Sequence, residues 1–226
     1  MVGEGEISLT ELAARVRDRA ANRDGRYVLG IAGPPGAGKS TLAAALRDTV
    51  NEQAGKAVAE VAPMDGFHLT NAELRVAGAL ARKGEPDTFD VAGYLDGLRT
   101  LRETPPGQRV SLPSYDRLRH EPVPGGVVFD RQRIAITEGN FLLFDDVGPA
   151  GWSSVREYLD EVWYVDAPAD VLRKRLVRRH VHGGKSEQFA RSKVADSDLL
   201  NAELVATTRE RADLVLRAAG RRYRVL

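Results

Sequence analysis

Apolar residues along this chain follow helical spacing in some stretches and form short unbroken runs in others. Ser8-Leu9-Thr10-Glu11 has the form of a capping box, and Leu9, Leu12, Ala13 and Val16 share one face of a predicted helix reaching about residue 21. The apolar run 27–32 predicts a first strand, and residues 39–53 a helix ended by Gly55. Residues 57–64 predict a second strand buried on both faces, and 71–82 a helix, with a loop at 83–87. Asp90 is placed to cap a helix over 92–103, which Pro105-Pro106-Gly107 breaks. Residues 110–130 read as an irregular insertion, since Pro113, Pro122, Pro124, Gly125 and Gly126 argue against a long regular element; 127–129 would be a short edge strand. Further strands are predicted at 134–137, 161–165, 212–217 and 222–226, and helices at 152–159, 170–180, 187–194 and 199–208, with an apolar run at 141–144. Strands alternating with helices predict a three-layer α/β/α domain spanning 1–226, with 1–26 as a helical extension and about five core strands in a parallel sheet.

Composition narrows the function classes. The 226 residues carry 33 Lys and Arg against 32 Asp and Glu, a net charge of +1, so no overall field favours nucleic acid or a membrane surface. The absence of cysteine excludes disulfides and thiolate metal sites and fits a cytoplasmic protein. The charged N-terminus lacks the apolar core of a signal peptide, and no apolar run approaches the ~20 residues needed to span a bilayer.

The first strand runs into Gly33-Pro34-Pro35-Gly36-Ala37-Gly38-Lys39-Ser40-Thr41, which fits Gly-x4-Gly-Lys-Ser/Thr. A strand before and a helix after are the context that pattern requires. Glycines at 33, 36 and 38 let the main chain turn and face its N–H groups to a polyphosphate. Lys39 supplies charge at the β- and γ-phosphates, Ser40 an oxygen ligand for Mg2+, and the next helix its positive end. A polyphosphate together with Mg2+ is therefore the expected occupant of this loop.

Three carboxylates end apolar strands: Asp65, Glu138 and Asp166. Asp65 is the candidate base for a substrate hydroxyl, and Glu138 could hold Mg2+ through water. Asp166 is the weakest of the three, because Asp-Ala-Pro-Ala-Asp also reads as a strand end and then a helix cap. His68, close behind Asp65, is a candidate substrate contact; none of His68, His120, His180 and His182 has the spacing of a zinc motif. The stretch 170–195 is strongly basic and contains Gly183-Gly184, as a mobile flap over a nucleotide would be. Arg175 and Arg179 share a face at i, i+4 and are the candidates to reach the moving phosphoryl group. The polar insertion 110–130, with Tyr115, Asp116, Arg117, Arg119 and His120, is a candidate binding loop.

Taken together, GPPGAGKST at 33–41, MDGFH at 64–68, EPDTFD at 85–90, SYD at 114–116, TEGN at 137–140 and RLVRRH at 175–180 resemble, in order, the motifs of the phosphoribulokinase/uridine kinase family of phosphate-loop kinases, which includes bacterial pantothenate kinase. The resemblance covers most of 27–217. It implies an ATP- and Mg2+-dependent small-molecule kinase with a lid after the fourth strand. It carries the base role onto Asp65 and a metal or substrate role onto Glu138, places Tyr115 and Arg117 at the acceptor, and sets Arg178 and Arg179 in the lid at the nucleotide. Asp65-Gly66-Phe67 is closer to pantothenate kinase, whereas the lid looks like the uridine kinase form; the chain also resembles a bacterial branch labelled as fructose-transport-system or nucleoside kinases. The expected partner is a small substrate, a sugar or polyol before a nucleoside before pantothenate, and a homodimer is left open. The rival reading is a nucleotide-dependent switch or assembly ATPase with no small acceptor.

Overall fold

The computed structural model describes residues 5–145 and 151–226, so the first four residues of the predicted N-terminal extension lie outside the described residues. Among the described residues the main sheet has seven strands: β1 (Glu6–Ser8), β2 (Tyr27–Ala32), β3 (Ala59–Pro63), β6 (Ile134–Gly139), β7 (Glu161–Asp166), β8 (Leu214–Ala219) and β9 (Arg222–Val225). Across the sheet they run β1-β9-β8-β7-β2-β6-β3. The five from β8 to β3 are parallel, as alternation with helices requires. β9 and β1 add an antiparallel edge. β4 (Val110–Asp116) and β5 (Glu121–Phe129) form a separate two-stranded sheet.

The helices are α1 (Leu9–Ala21), α2 (Lys39–Ala54), α3 (Asn71–Val76), α4 (Val91–Glu103), α5 (Ala169–His182), α6 (Glu187–Lys193) and α7 (Leu199–Ala206). α1 starts on the predicted capping box of Ser8 and Glu11, and Asp90 caps α4 by accepting from the Gly93 N–H at 2.9 Å. Alternate residues of β2 feed two cores. Tyr27, Leu29 and Ile31 pack under α1 and α2 with Leu12, Leu42 and Leu46; Val28 and Ala32 face Leu98, Leu101, Phe129 and Trp152. Burying each large apolar side chain stabilises the sheet by roughly 1.5–3 kcal/mol. Arg26, fully buried just before β2, ties the two ends of the second core together. Its guanidinium donates to the carbonyls of Leu101 and Thr104 at the end of α4, and to those of Gln108, Asp130 and Gln132.

Five expectations need correction. The N-terminal extension is not helical throughout: before α1 it contributes β1, which pairs with β9 at the edge of the main sheet. β3 is the edge of the sheet and is only half-buried, because its run of apolar residues faces a neighbour on one side only. The predicted helix 71–82 stops at Val76, where Gly78 adopts φ +66°, and resumes only as a 3-10 turn, Leu80–Arg82. Residues 152–158 form a 3-10 rather than an α-helix. The segment 110–130 is an ordered hairpin. Its prolines survive because a two-stranded ribbon leaves outer N–H positions unused and because Pro113 falls where the register shifts between Leu112 and Ser114.

Candidate active site

Parallel pairing sends the C-terminal ends of β2, β6 and β3 out along one edge of the sheet. The residues at and just beyond those ends are therefore brought together: 33–40 after β2, Glu138 and Asn140 at the end of β6, and Asp65 after β3.

The loop after β2 passes so close to β7 that a Cβ on Gly33 would lie 2.4 Å from the Val165 carbonyl oxygen; its φ is +142°. α2 begins at Gly38 with no side-chain cap, which leaves its first amides open to an anion. Lys39 is buried, and its ammonium donates to the Pro34 carbonyl at 3.0 Å and to Asn140 Oδ1 at 2.7 Å. Desolvation brings its pKa down to about 8, against the pull of Glu138 and Asp65 and with the help of Arg179 and Arg117. The charges of all four residues thus bear on one ammonium. Ser40 donates to Glu138 Oε1 at 2.9 Å. Burial pushes the Glu138 carboxyl up, and the charge of Asp65 pushes it further. This hydroxyl–carboxylate pair suits Mg2+, a hard cation that takes oxygen ligands. Among the described residues there is no cluster of three or more His, Cys, Asp or Glu placed to hold a metal ion.

Asp65 sits in a 3-10 turn, Met64–Phe67, packed on the end of β6. Its Oδ2 is 3.7 Å from the guanidinium of Arg117, which projects from the turn between β4 and β5. Gly66 permits this arrangement: a Cβ there would stand 2.3 Å from the Pro113 carbonyl oxygen, so only glycine lets the hairpin settle onto the turn. His68 comes next, its ring between Phe89 and Tyr115, with centroids 4.0 and 4.7 Å away. Burial and the charge of Asp65 push the Tyr115 phenol up to about 12. Lys83 bridges Asn71 Oδ1 at 2.8 Å and the His120 carbonyl at 2.7 Å, tying the hairpin tip to the start of α3.

On the opposite side, Arg175 donates to the carbonyls of Gly36 and Ala37 at 3.2 and 3.0 Å and so grips the outside of the glycine loop. Arg175, Arg178, Arg179 and His182 line one shallow depression on α5. His180 Nε2 meets Asp198 Oδ2 at 2.6 Å, fastening α5 to the π-helical turn Val194–Asp198 that joins α6 to α7. Lys193 of α6 reaches across to the Ala81 carbonyl at 3.2 Å.

Lys39, Ser40, Glu138, Asp65, Arg117, His68 and Tyr115 are therefore brought together, with Arg175 and Arg179 alongside. Asp166 is not. It pairs with Arg217 across β7 and β8, on the far side of β2 from Asp65. Sequence reasoning missed Asn140, Lys83 and Phe89. Asn140 lay within a noted motif, but nothing in spacing marks an amide as the partner of a distant lysine. Phe89 likewise lay within a noted motif, 85–90, and Lys83 in a segment read as a loop, but no spacing assigned either a partner.

A glycine loop between a central parallel strand and a helix, holding a buried lysine beside the carboxylates of neighbouring strand ends, defines a nucleotide-binding phosphate-loop kinase. The chain belongs to the phosphoribulokinase/uridine kinase family, whose sequence model matches residues 28–222. It is 33% identical to the uncharacterized protein YggC of Escherichia coli K12 over 88% of this chain and 80% of that protein. It is 31% identical to a pantothenate kinase of Chelativorans sp. BNC1 over 84% of this chain and 67% of that enzyme. The crystal structure of a candidate fructose transport system kinase from Silicibacter sp. TM1040 superposes with a TM-score of 0.82 at 36% identity, covering 92% of this chain and 98% of that one.

Proposed function

We propose that this chain transfers the γ-phosphoryl group of ATP to a hydroxyl of a small metabolite. The observation that supports this best is the convergence of the Asp65 carboxylate, the Lys39 ammonium and the Ser40–Glu138 pair at one strand edge, with their charges felt by one another.

The main-chain amides of the 33–41 loop and the Lys39 ammonium bind the β- and γ-phosphates. Ser40 and Glu138 would hold Mg2+ from the protein side, and the ion would supply positive charge against those phosphates. Asp65 orients the acceptor hydroxyl and takes its proton as that oxygen bonds to phosphorus; the bond to the bridging oxygen breaks, and ADP leaves. Arg179, whose charge bears on Lys39, stabilises charge on the transferring group, Arg178 contacts the nucleotide, and Arg175 keeps the glycine loop in shape. Segment 170–195 acts as the lid, and the hairpin within 110–130, with Tyr115 and Arg117, forms the acceptor wall. Sugars or polyols come first as acceptors, then nucleosides, then pantothenate. This order is compatible with relatives and neighbours named for pantothenate and fructose.

The test is ADP release measured against hexoses, pentoses, alditols, nucleosides and pantothenate. A compound that raises release well above basal hydrolysis and is recovered as its phosphate ester supports the reading. Basal hydrolysis unchanged by every compound supports a nucleotide switch instead.

A further inference from the structure

At the opposite edge of the main sheet lies a cavity of about 440 Å³ that phosphoryl transfer does not use. On one side stand Arg15 and Arg19, one turn apart on α1, and Arg23 just past its end. On the other stand Asp160 and Glu161 at the start of β7 and Asp213 just before β8. The six residues of β2, about 20 Å at ~3.3 Å each, separate this edge from the glycine loop, so a ligand here cannot touch the reacting phosphates.

The carboxylates of this cavity are already engaged. Glu161 accepts from Arg15 Nε and Nη2 at 2.8 and 2.5 Å, from Trp163 Nε1 at 2.9 Å and from the Tyr27 hydroxyl at 2.9 Å. Burial works to raise its pKa, but the hydrogen bonds from Trp163, Arg15 and Tyr27 bring it below the ordinary value and keep it charged. Asp160 accepts from the Val28 N–H at 2.8 Å and from Arg102 at 3.3 Å, and pairs with Arg23. Asp213 accepts from the Val162 N–H at 2.7 Å and from Arg156 at 3.0 Å. The guanidiniums are not used up. Arg19 is exposed, comes no nearer than 4.0 Å to Glu161 and makes no hydrogen bond among the described residues. Arg15 bonds through Nε and Nη2 alone, and Arg23 through Nε and Nη1, which leaves one amino group on each. Five guanidiniums meet three carboxylates, so positive charge is in excess by two. What the cavity offers a ligand is therefore donors and positive charge, in the planar form that matches phosphate and carboxylate oxygens.

We propose that this cavity is a second, non-catalytic site that takes a small, doubly charged organic oxyanion on Arg15, Arg19 and Arg23. Its volume falls in the range of about 300–1,000 Å³ usual for small-molecule pockets, and so suits a phosphate ester or dicarboxylate of metabolite size. The ligand would join α1 to the strand starts. The proposal does not rest on the kinase reading, because neither the cradle nor Asp65 takes part.

The experiment is isothermal titration calorimetry of the full chain with glycerol 3-phosphate, succinate and, as a singly charged control, acetate. It compares the wild type with Arg19→Gln, Arg19→Lys and the cradle variant Lys39→Ala. Arg19 is exposed and without a hydrogen bond, so its replacement leaves the melting temperature nearly unchanged. The wild type should bind at least one of the dianions, and acetate about tenfold more weakly or less. Arg19→Gln should weaken the dianion by about tenfold or more, Arg19→Lys by an intermediate factor, and Lys39→Ala by no more than about twofold. Binding of glycerol 3-phosphate alone makes the ligand a phosphate ester, and binding of succinate alone makes it a carboxylate. Absence of binding by both dianions at millimolar concentration, or equal affinity in wild type and Arg19→Gln, overturns the proposal. Binding lost in Lys39→Ala and kept in Arg19→Gln puts the anion in the cradle and overturns it too.

Discussion

The two halves of the candidate site are built differently. The phosphate-binding half is one continuous stretch, 33–40, and its working parts are largely main chain: a glycine at φ +142°, the uncapped start of α2, and one lysine held by the Pro34 carbonyl and Asn140. The proposed acceptor half draws side chains from residues 65–68, 83–89 and 115–121, and depends on a hairpin settling over a 3-10 turn. A triphosphate is the same in every reaction of this kind, so a rigid backbone cradle serves it. An acceptor must be told from its analogues, which takes side chains whose identity can change without disturbing the cradle.

That contrast can be broken most decisively at its two charged centres. Asp65→Asn should lower kcat by about 10²–10⁴-fold while leaving ATP affinity, measured by equilibrium titration, nearly unchanged. Lys39→Ala should reduce kcat/KM for ATP by roughly 10²–10³-fold and weaken ATP binding itself. If Asp65→Asn impairs ATP binding as much as Lys39→Ala does, the halves are not separable.

Gly66→Ala tests the joint between turn and hairpin. The added methyl meets the Pro113 carbonyl, so the hairpin must lift; acceptor KM should rise by about tenfold or more with KM for ATP little altered. Equal increases in both constants would show the hairpin to be coupled to the cradle.

Lys39 gives the cradle a pH signature. With its pKa near 8 instead of 10.5, the ammonium is lost as pH rises through about 8, so kcat/KM for ATP should fall on the alkaline side. Stability has the opposite sign. Between 8 and 10.5 the unfolded chain binds the proton that the folded lysine has released, so the ligand-free protein should become more stable in that window from this group. Thermal melts with and without ATP would separate the two trends. The smallest effect belongs to the third strand-end carboxylate. Asp166→Asn breaks a partly exposed pair with Arg217 and should change turnover by less than about twofold, with a stability loss of about 0–1 kcal/mol in melting experiments. A large loss of turnover would place Asp166 in the machinery.

Periodicity sufficed for much of the architecture. The α1 capping box, the boundaries of β2, the Gly55 stop of α2 and the Asp90 cap of α4 all depend on residues within a few positions of one another, so local spacing carries them. The hairpin 110–129 was illegible for the converse reason. Its prolines forbid an ordinary central strand, and only pairing along one side, with a bulge at Pro113, makes them compatible with a ribbon. The same distinction divides the site. The cradle was legible because its residues are consecutive; Asn140, Lys83 and Phe89 were not, because each acquires meaning from a partner elsewhere in the chain.

By itself, then, the sequence determined the alternation of strands and helices, the phosphate cradle and the kinds of residue available for catalysis. Tertiary structure decided which strand-end carboxylates share an edge with Lys39, since strand order, not chain order, sets β6 between β2 and β3 and leaves Asp166 with Arg217. It also decided the surroundings of His68, because the Asp65 carbonyl and the rings of Phe89 and Tyr115 meet one imidazole only once the hairpin is packed.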